Sequence, residues 1–241
     1  MNIILLGYGR MGHEIEQVAS EAGHTVILRI DKDNTDELSP GNIAGADVAI
    51  DFTGPSSAPD IIKKALGLGL PVVSGSTGWN DRLEEIETYC KEHNGTFIHS
   101  SNFSIGVNIL FHLNSELARI MRINKLYKVR IEEIHHIQKL DAPSGTAVTL
   151  AQEIIHEDGD YNGWVLEGRD NPEKDGCIPV KAVREGSVPG IHTVAWESDI
   201  DRISLRHEAK SRRGFAVGAV MAAEFVADKK GIFSMSDVLS F

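Results

Sequence analysis

Two adjacent histidines, His135 and His136, are followed by Lys139 and then by Asp141-Ala142-Pro143-Ser144-Gly145-Thr146-Ala147. An imidazole exchanges its proton near neutral pH, which suits it to deliver one during a reaction. The ammonium of Lys139 adds a fixed positive charge and further donors. Just upstream, Val129, Ile131 and Glu133 alternate with their neighbours as a β-strand does. Downstream, residues 146–155 read as a helix, with Asp141, Pro143 and Gly145 supplying the turn. The histidines therefore sit at a strand end, with a helix start just beyond. Such a start offers free backbone N–H groups and the positive end of the helix dipole, a seat for an anion. Alone, each of these residues has an ordinary explanation: a structural histidine, a solvated lysine, a Ser or Thr cap. Together at one strand–loop–helix junction they point to a carboxylate-bearing substrate and a delivered proton. Adjacent histidines on a strand face opposite sides, so one ion could hardly hold both, and no metal site is expected.

The preceding hundred residues alternate strand and helix. Residues 2–6 are apolar and run directly into Gly7-Tyr8-Gly9-Arg10-Met11-Gly12, and residues 13–22 read as a helix stopped by Gly23. This is the order a dinucleotide site requires: Gly7 for the tight turn, Gly9 for backbone approach to a pyrophosphate, Gly12 for close packing of helix on strand. A second strand over 25–30 ends in Asp31-Lys32. The acid suits ribose hydroxyls and hence NAD, and the neighbouring cation suits the 2′-phosphate of NADP, so both cofactors are expected. Strands follow over 46–52, 71–74 and 96–99, with helices over 58–68 and 81–92 between them. The strands end in small polar segments, at Thr53-Gly54-Pro55, Gly75-Ser76-Thr77-Gly78 and Ser100-Ser101-Asn102-Phe103, where open parallel sheets bind ligands.

After Ser104 the pattern changes. A longer helix over 106–121 leads into the histidine strand, and residues 157–176 show no periodicity. Residues 178–184, 192–198 and 202–209 read as strands of a mixed or antiparallel sheet, and Ile203, Leu205 and His207 share a face that suits packing against a second copy. A small-residue helix over 215–227 and a short element over 236–241 close the chain. The expected fold is α/β: an N-terminal Rossmann dinucleotide-binding domain (1–103 plus 213–241) with an α+β substrate and oligomerisation domain (104–212) carrying a mixed sheet.

The net charge of −11, from 35 acidic and 24 basic residues without a basic run, argues against nucleic acid or an anionic membrane as partner. No apolar run is long enough to span a bilayer. Cys90 and Cys177 stand apart in no CxxC pattern, and no signal peptide is evident, so free thiols in the cytoplasm are expected.

These motifs resemble the bacterial 4-hydroxy-tetrahydrodipicolinate reductase (dihydrodipicolinate reductase) family. The resemblance rests on the glycine turn, Asp51-Phe52-Thr53, Gly75-Ser76-Thr77-Gly78, Asn102-Phe103-Ser104-Ile105-Gly106-Val107, the Glu133 to Ala147 signature and Gly190-Ile191-His192-Thr193. It implies reduction of a cyclic dicarboxylic imine by NADH or NADPH with loss of water, in a homotetramer built through the second domain's sheet. His135 takes the position of the family's proton donor, and Lys139 that of a second acid that also grips substrate. His136, Ser144, Gly145 and Thr146 take the carboxylate-binding positions. Gly7, Tyr8, Gly9, Arg10, Met11, Gly12, Asp31, Lys32, Phe52, Gly75, Ser76, Thr77, Ser100, Ser101, Asn102, Phe103 and Arg212 take cofactor positions, and Phe215 lies near them. The glycine loop is one residue shorter than the commoner family form, and the segment between Asp31 and Val48 is short. A regulator that senses nucleotide would need a partner surface, and no basic recognition helix is visible. An aspartate or diaminopimelate dehydrogenase would explain the first hundred residues but not the His-His-Lys loop.

Overall fold

A computed structural model describes residues 1–168 and 174–241. The chain forms two compact units, Met1–Ile105 with Arg212–Phe241, and Gly106–Ser211. Among the described residues no helix is long and apolar enough to cross a membrane.

In the first unit, strands β1 (Asn2–Leu6), β2 (Thr25–Ile30), β3 (Val48–Asp51), β4 (Val72–Ser74) and β5 (Thr96–His99) alternate with helices α1 (Arg10–Glu21), α2 (Ala58–Gly67) and α3 (Leu83–Glu92). Beyond them come α4 (Ile105–Met121), β6 (Lys128–His135), α5 (Gly145–Glu157), β7 (Gly163–Leu166), β8 (Cys177–Arg184), β9 (Ile191–Glu197), β10 (Arg202–Glu208), α6 (Arg213–Val226), β11 (Gly231–Phe233) and α7 (Met235–Leu239). The first sheet is parallel, ordered β11-β5-β4-β3-β1-β2. Strands β1 and β3 are apolar on both faces because helices cover both sides: Ile3, Leu5 and Ile50 pack toward α1 and α6, and Ile4, Leu6 and Ala49 toward α2. Strand order reverses between β1 and β3, the point where an open α/β sheet leaves a crevice for ligand. Strand β2 is an edge, because the short run between Asp31 and Val48 forms only a 3₁₀ turn at Thr35–Glu37. Strand β11 was not legible in the sequence and extends the sheet beside β5.

The second unit is a mixed sheet, β10-β9-β6-β8-β7, with α4 and α5 packed on the face that carries Val129, Ile131, Val180, Val194 and Trp196. Burial along β6 alternates strictly, so Val129, Ile131, Glu133 and His135 all point to that covered face. The aperiodic stretch over 157–176 contains β7, which pairs in parallel with β8; residues 169–173 of it lie outside the described residues.

Candidate active site

The histidine strand is longer than its alternation suggested: β6 runs through His135, so that ring is held by a sheet and not by a loop. Antiparallel pairing of β6 with β9 sets Glu133 opposite His192, and parallel pairing with β8 sets His135 opposite Arg184. These pairings place an acid, two imidazoles and a guanidinium on one covered face. Glu133 is fully buried, and His135 and His192 are 7% and 4% exposed.

Glu133 organises this cluster. Its carboxylate accepts the backbone N–H of Ser144 at 3.1 Å from each oxygen, and Arg184 Nη2 donates to Oε1 at 3.0 Å. His135 Nδ1 stands 3.3 Å from Oε2, at ion-pair distance but off the line of a well-formed hydrogen bond. Burial by itself would raise the Glu133 carboxyl, yet the donors of His135, Ser144 and Arg184 outweigh it and hold the group at about 2. His192 is driven the other way. Burial first, and then the neighbouring His135, push it down to about 3, so its ring is neutral and hydrogen-bonds with Ser144 Oγ through Nε2 at 3.2 Å.

Ser144 is the N-cap of α5, its Oγ accepting from Ala147 N at 3.3 Å. No acidic side chain lies in the first turn, and a Cβ built at Gly145 meets nothing within 4 Å, so the positive end of the helix faces open space. Lys139 donates to both oxygens of Asp141 at 2.8 Å, and that ion pair holds its ammonium within the loop. Arg184 ties the same loop down, donating to the carbonyls of Lys139 at 3.3 Å and Asp141 at 2.5 Å. His136 is half-buried, and its Nδ1 has no hydrogen-bond partner. Thus Lys139, Ser144, Gly145, Thr146 and both histidines lie on one strand–loop–helix segment. The sequence reading missed Glu133, Arg184 and His192 as parts of it. A charge in phase with Val129 and Ile131 was the available signal for Glu133, and the Gly-Ile-His-Thr motif was the signal for His192.

Glu133, His135 and His192 each bring one possible ligand atom within 4.8 Å of the others. This donor set was not expected from the adjacent histidine pair. The Arg184 guanidinium and the Ser144 amide already satisfy the carboxylate, and a cation there would meet the positive charge of Arg184.

The residues expected to hold a nucleotide lie in the first unit, at the carboxyl ends of its parallel strands. Gly7 has φ +90°, and a Cβ on it would stand 2.5 Å from the Phe52 carbonyl oxygen. Gly12 is packed equally closely, 2.5 Å from the Gly7 carbonyl. Gly9 differs: a Cβ there meets nothing within 4 Å, and it caps α1 with no side chain bonded to the helix end and no acid in the first turn. That open, positively polarised helix end fits a pyrophosphate. Tyr8 and Arg10 flank it; the Tyr8 hydroxyl donates to Glu16, which Arg29 also grips, and its ring packs on His13 at 4.1 Å. Met11 is half-buried, and Asp31 and Lys32 are exposed after β2. Next along the sheet, buried Asp51 accepts from Thr53 N at 3.0 Å, Thr53 Oγ1 at 2.6 Å and Ser74 Oγ at 2.7 Å, locking the ends of β3 and β4 together. Burial pushes its carboxyl up despite those donors. Phe52 packs over Gly75 and stands 6.1 Å from Phe103, so the rings of two expected cofactor residues brace the loops. Ser76 and Asn102 are buried, and Thr77, Ser101 and Arg212 are exposed. Ser100 Oγ donates to the Asn102 carbonyl at 2.8 Å.

Family models for the N-terminus and C-terminus of dihydrodipicolinate reductase match residues 1–103 and 106–239. A 4-hydroxy-tetrahydrodipicolinate reductase of Christiangramia forsetii is 50% identical over all of this chain and 98% of its own length. The enzyme of that name in Methanopyrus kandleri is 41% identical over 98% of this chain and 80% of its own. Among solved structures, a dipicolinate-bound dihydrodipicolinate reductase from Paenisporosarcina sp. TG-14 superposes with a TM-score of 0.78 at 25% identity, covering 97% of each chain.

Proposed function

Because this chain belongs to the dihydrodipicolinate reductase family along nearly its whole length, we propose that it reduces 4-hydroxy-2,3,4,5-tetrahydrodipicolinate to tetrahydrodipicolinate. A hydride and a proton enter and one water leaves. The protein is an oxidoreductase with a dinucleotide-binding unit, and the reduced nicotinamide, when bound, supplies the hydride. The observation that carries the reading is the segment from Glu133 to Thr146, where proton donors and an open helix N-terminus occur within one loop.

In this reading the substrate's carboxylates are held by the Ser144 hydroxyl, by the backbone at Gly145 and Thr146 and by His136. A substrate carboxylate replaces Asp141 as the partner of Lys139. As hydride adds to a conjugated imine, negative charge grows on the adjacent atoms, and His135 with Lys139 delivers the proton that quenches it. Gly7 to Gly12 and the Gly75, Ser100 and Phe52 loops hold the nucleotide. Asp31 beside Lys32, both exposed, supports use of NADH and NADPH alike. The protein works in the cytoplasm as a homotetramer joined through the uncovered face of the second unit's sheet.

The test follows nucleotide oxidation after addition of freshly generated cyclic imine, with NADH and NADPH in parallel and free amino acids as controls. Turnover of the imine with either nucleotide supports the assignment. Oxidative turnover of an amino acid in place of imine reduction would overturn it.

A further inference from the structure

The geometry points to Glu133 as a positioning residue for the reaction: one buried carboxylate that sets the proton donor, the anion seat and the lysine loop at once. This rests on the reading of His135 as the proton donor. Three observations carry it. Glu133 is fully buried on the covered face of β6, a position where a carboxylate is costly unless every neighbour is arranged for it. Its oxygens meet three different parts of the site: Ser144 N, which starts α5; Arg184, which also binds the carbonyls of Lys139 and Asp141; and His135 Nδ1 at 3.3 Å. Finally, buried His135 Nδ1 has no hydrogen-bond partner, and the Glu133 carboxylate is the acceptor standing beside it at 3.3 Å.

The consequence is a defined tautomer. With Nδ1 turned to a carboxylate, the neutral ring carries its proton there, and Nε2 is the atom that exchanges the catalytic proton. Space is kept for that exchange by Gly190, where an added Cβ would stand 3.1 Å from His135 Nε2. Gly190 has φ +156°, which also disfavours a side chain there. The other ionisable groups around the pair are His192, opposite Glu133 on β9, with His207 behind it on β10; Arg184 on β8; and Lys139 and Asp141 in the loop. Neutral His192 contributes no charge, so Glu133 is the negative charge in direct reach of His135.

The test replaces the charge while keeping the shape. In Glu133→Gln, kcat falls roughly tenfold or more, part of the ~10²–10⁴-fold that a general acid supplies. The affinity for NADH, measured by fluorescence titration, stays unchanged. A carboxylate favours the protonated imidazole, so its loss moves the limb of the kcat profile that falls with rising pH to lower pH. Glu132→Gln, on the opposite face in an ion pair with Lys181, leaves rate and profile as they were. A folded Glu133→Gln whose pH profile superimposes on the parent overturns the proposal, even if its rate is reduced. Independently of any variant's folding, long-range ¹⁵N–¹H spectra of the parent protein must show neutral His135 protonated on Nδ1; an Nε2–H form overturns the proposal as well. If His135→Ala itself turns over normally, the proton-donor reading fails. If that variant is inactive while Glu133→Gln keeps the parent profile, only the positioning role fails.

Discussion

At the scale of single residues, the second unit's site is an exercise in controlling charge without water. Glu133 stays ionised because its donors outweigh its burial, and His192 stays neutral because nothing compensates its burial. The two shifts act on stability in the same direction. His192 has its pKa lowered from 6.5 to about 3, so the unfolded chain binds the proton that the folded one refuses, and stability is lost as pH falls through that window. Glu133, lowered from 4.5 to about 2, adds a further loss at the acid end. Urea midpoints measured across this range should therefore fall toward acid, and His192→Gln should flatten the slope between pH 6.5 and about 3. An unchanged slope would show that His192 is not buried neutral. The reaction has its own residue-scale prediction. His135→Ala and Lys139→Ala should each lower kcat by ~10²–10⁴-fold while nucleotide affinity holds. Near-parental turnover in either would remove that residue from the mechanism.

Secondary-structure elements explain why three glycines of one turn have different work. Gly7 and Gly12 are fixed by the chain's own packing, each with a carbonyl oxygen where a Cβ would go. A Cβ on Gly9 would meet nothing within 4 Å, and the residue begins a helix that no side chain caps. Gly7→Ala should then destabilise the fold by about 1–3 kcal/mol through strain at positive φ and the clash. Gly9→Ala should leave the thermal midpoint near the parent's yet weaken NADH binding, since the added methyl enters the open space proposed for the pyrophosphate. Equal affinity in the Gly9 variant, read by calorimetric titration, would place the pyrophosphate elsewhere. In α5 the same logic holds at the other site: Ser144 caps the helix with its hydroxyl while its own N–H is turned back to Glu133, so cap and strand are locked to each other.

For the whole molecule, the two units divide the labour that the family's chemistry requires. One carries a parallel sheet with polar strand ends, the other a mixed sheet that, among the described residues, has helices on one face only. The uncovered face carries Arg130, Glu132, Lys181 and Thr193. Ile203 and Leu205, expected from the sequence to meet a second copy, lie on the helix-covered face instead, because register sets them opposite Trp196 and Val194. A half-covered sheet of this kind is suited to pairing with a copy of itself. Light scattering on the eluted protein should report four chains, and Thr193→Asp, which sets a second acid opposite Glu132 on the uncovered face, should reduce that number without loss of helix signal. A monomeric parent would exclude assembly through this face.

Much of this architecture follows from local patterns. The apolar run before Gly7, the turn that only glycine fits and the alternation at Val129, Ile131 and Glu133 are visible within a few residues, because strand and helix periods are local properties of the chain. So is the crowding of His135, His136 and Lys139 before a capped helix. The partners of those residues are another matter. That Glu133 faces His192 and that Arg184 reaches back to the loop are consequences of strand register. Register is chosen by how distant apolar faces pack, and a shift by one residue would turn each of these side chains to the other face. Short β7 and β11 escaped notice for the same reason: each is a strand only because a neighbour, β8 or β5, supplies its hydrogen bonds. The amino-acid order thus specified which chemical groups were present and roughly where they sat, while folding in three dimensions chose the carboxylate that holds them together.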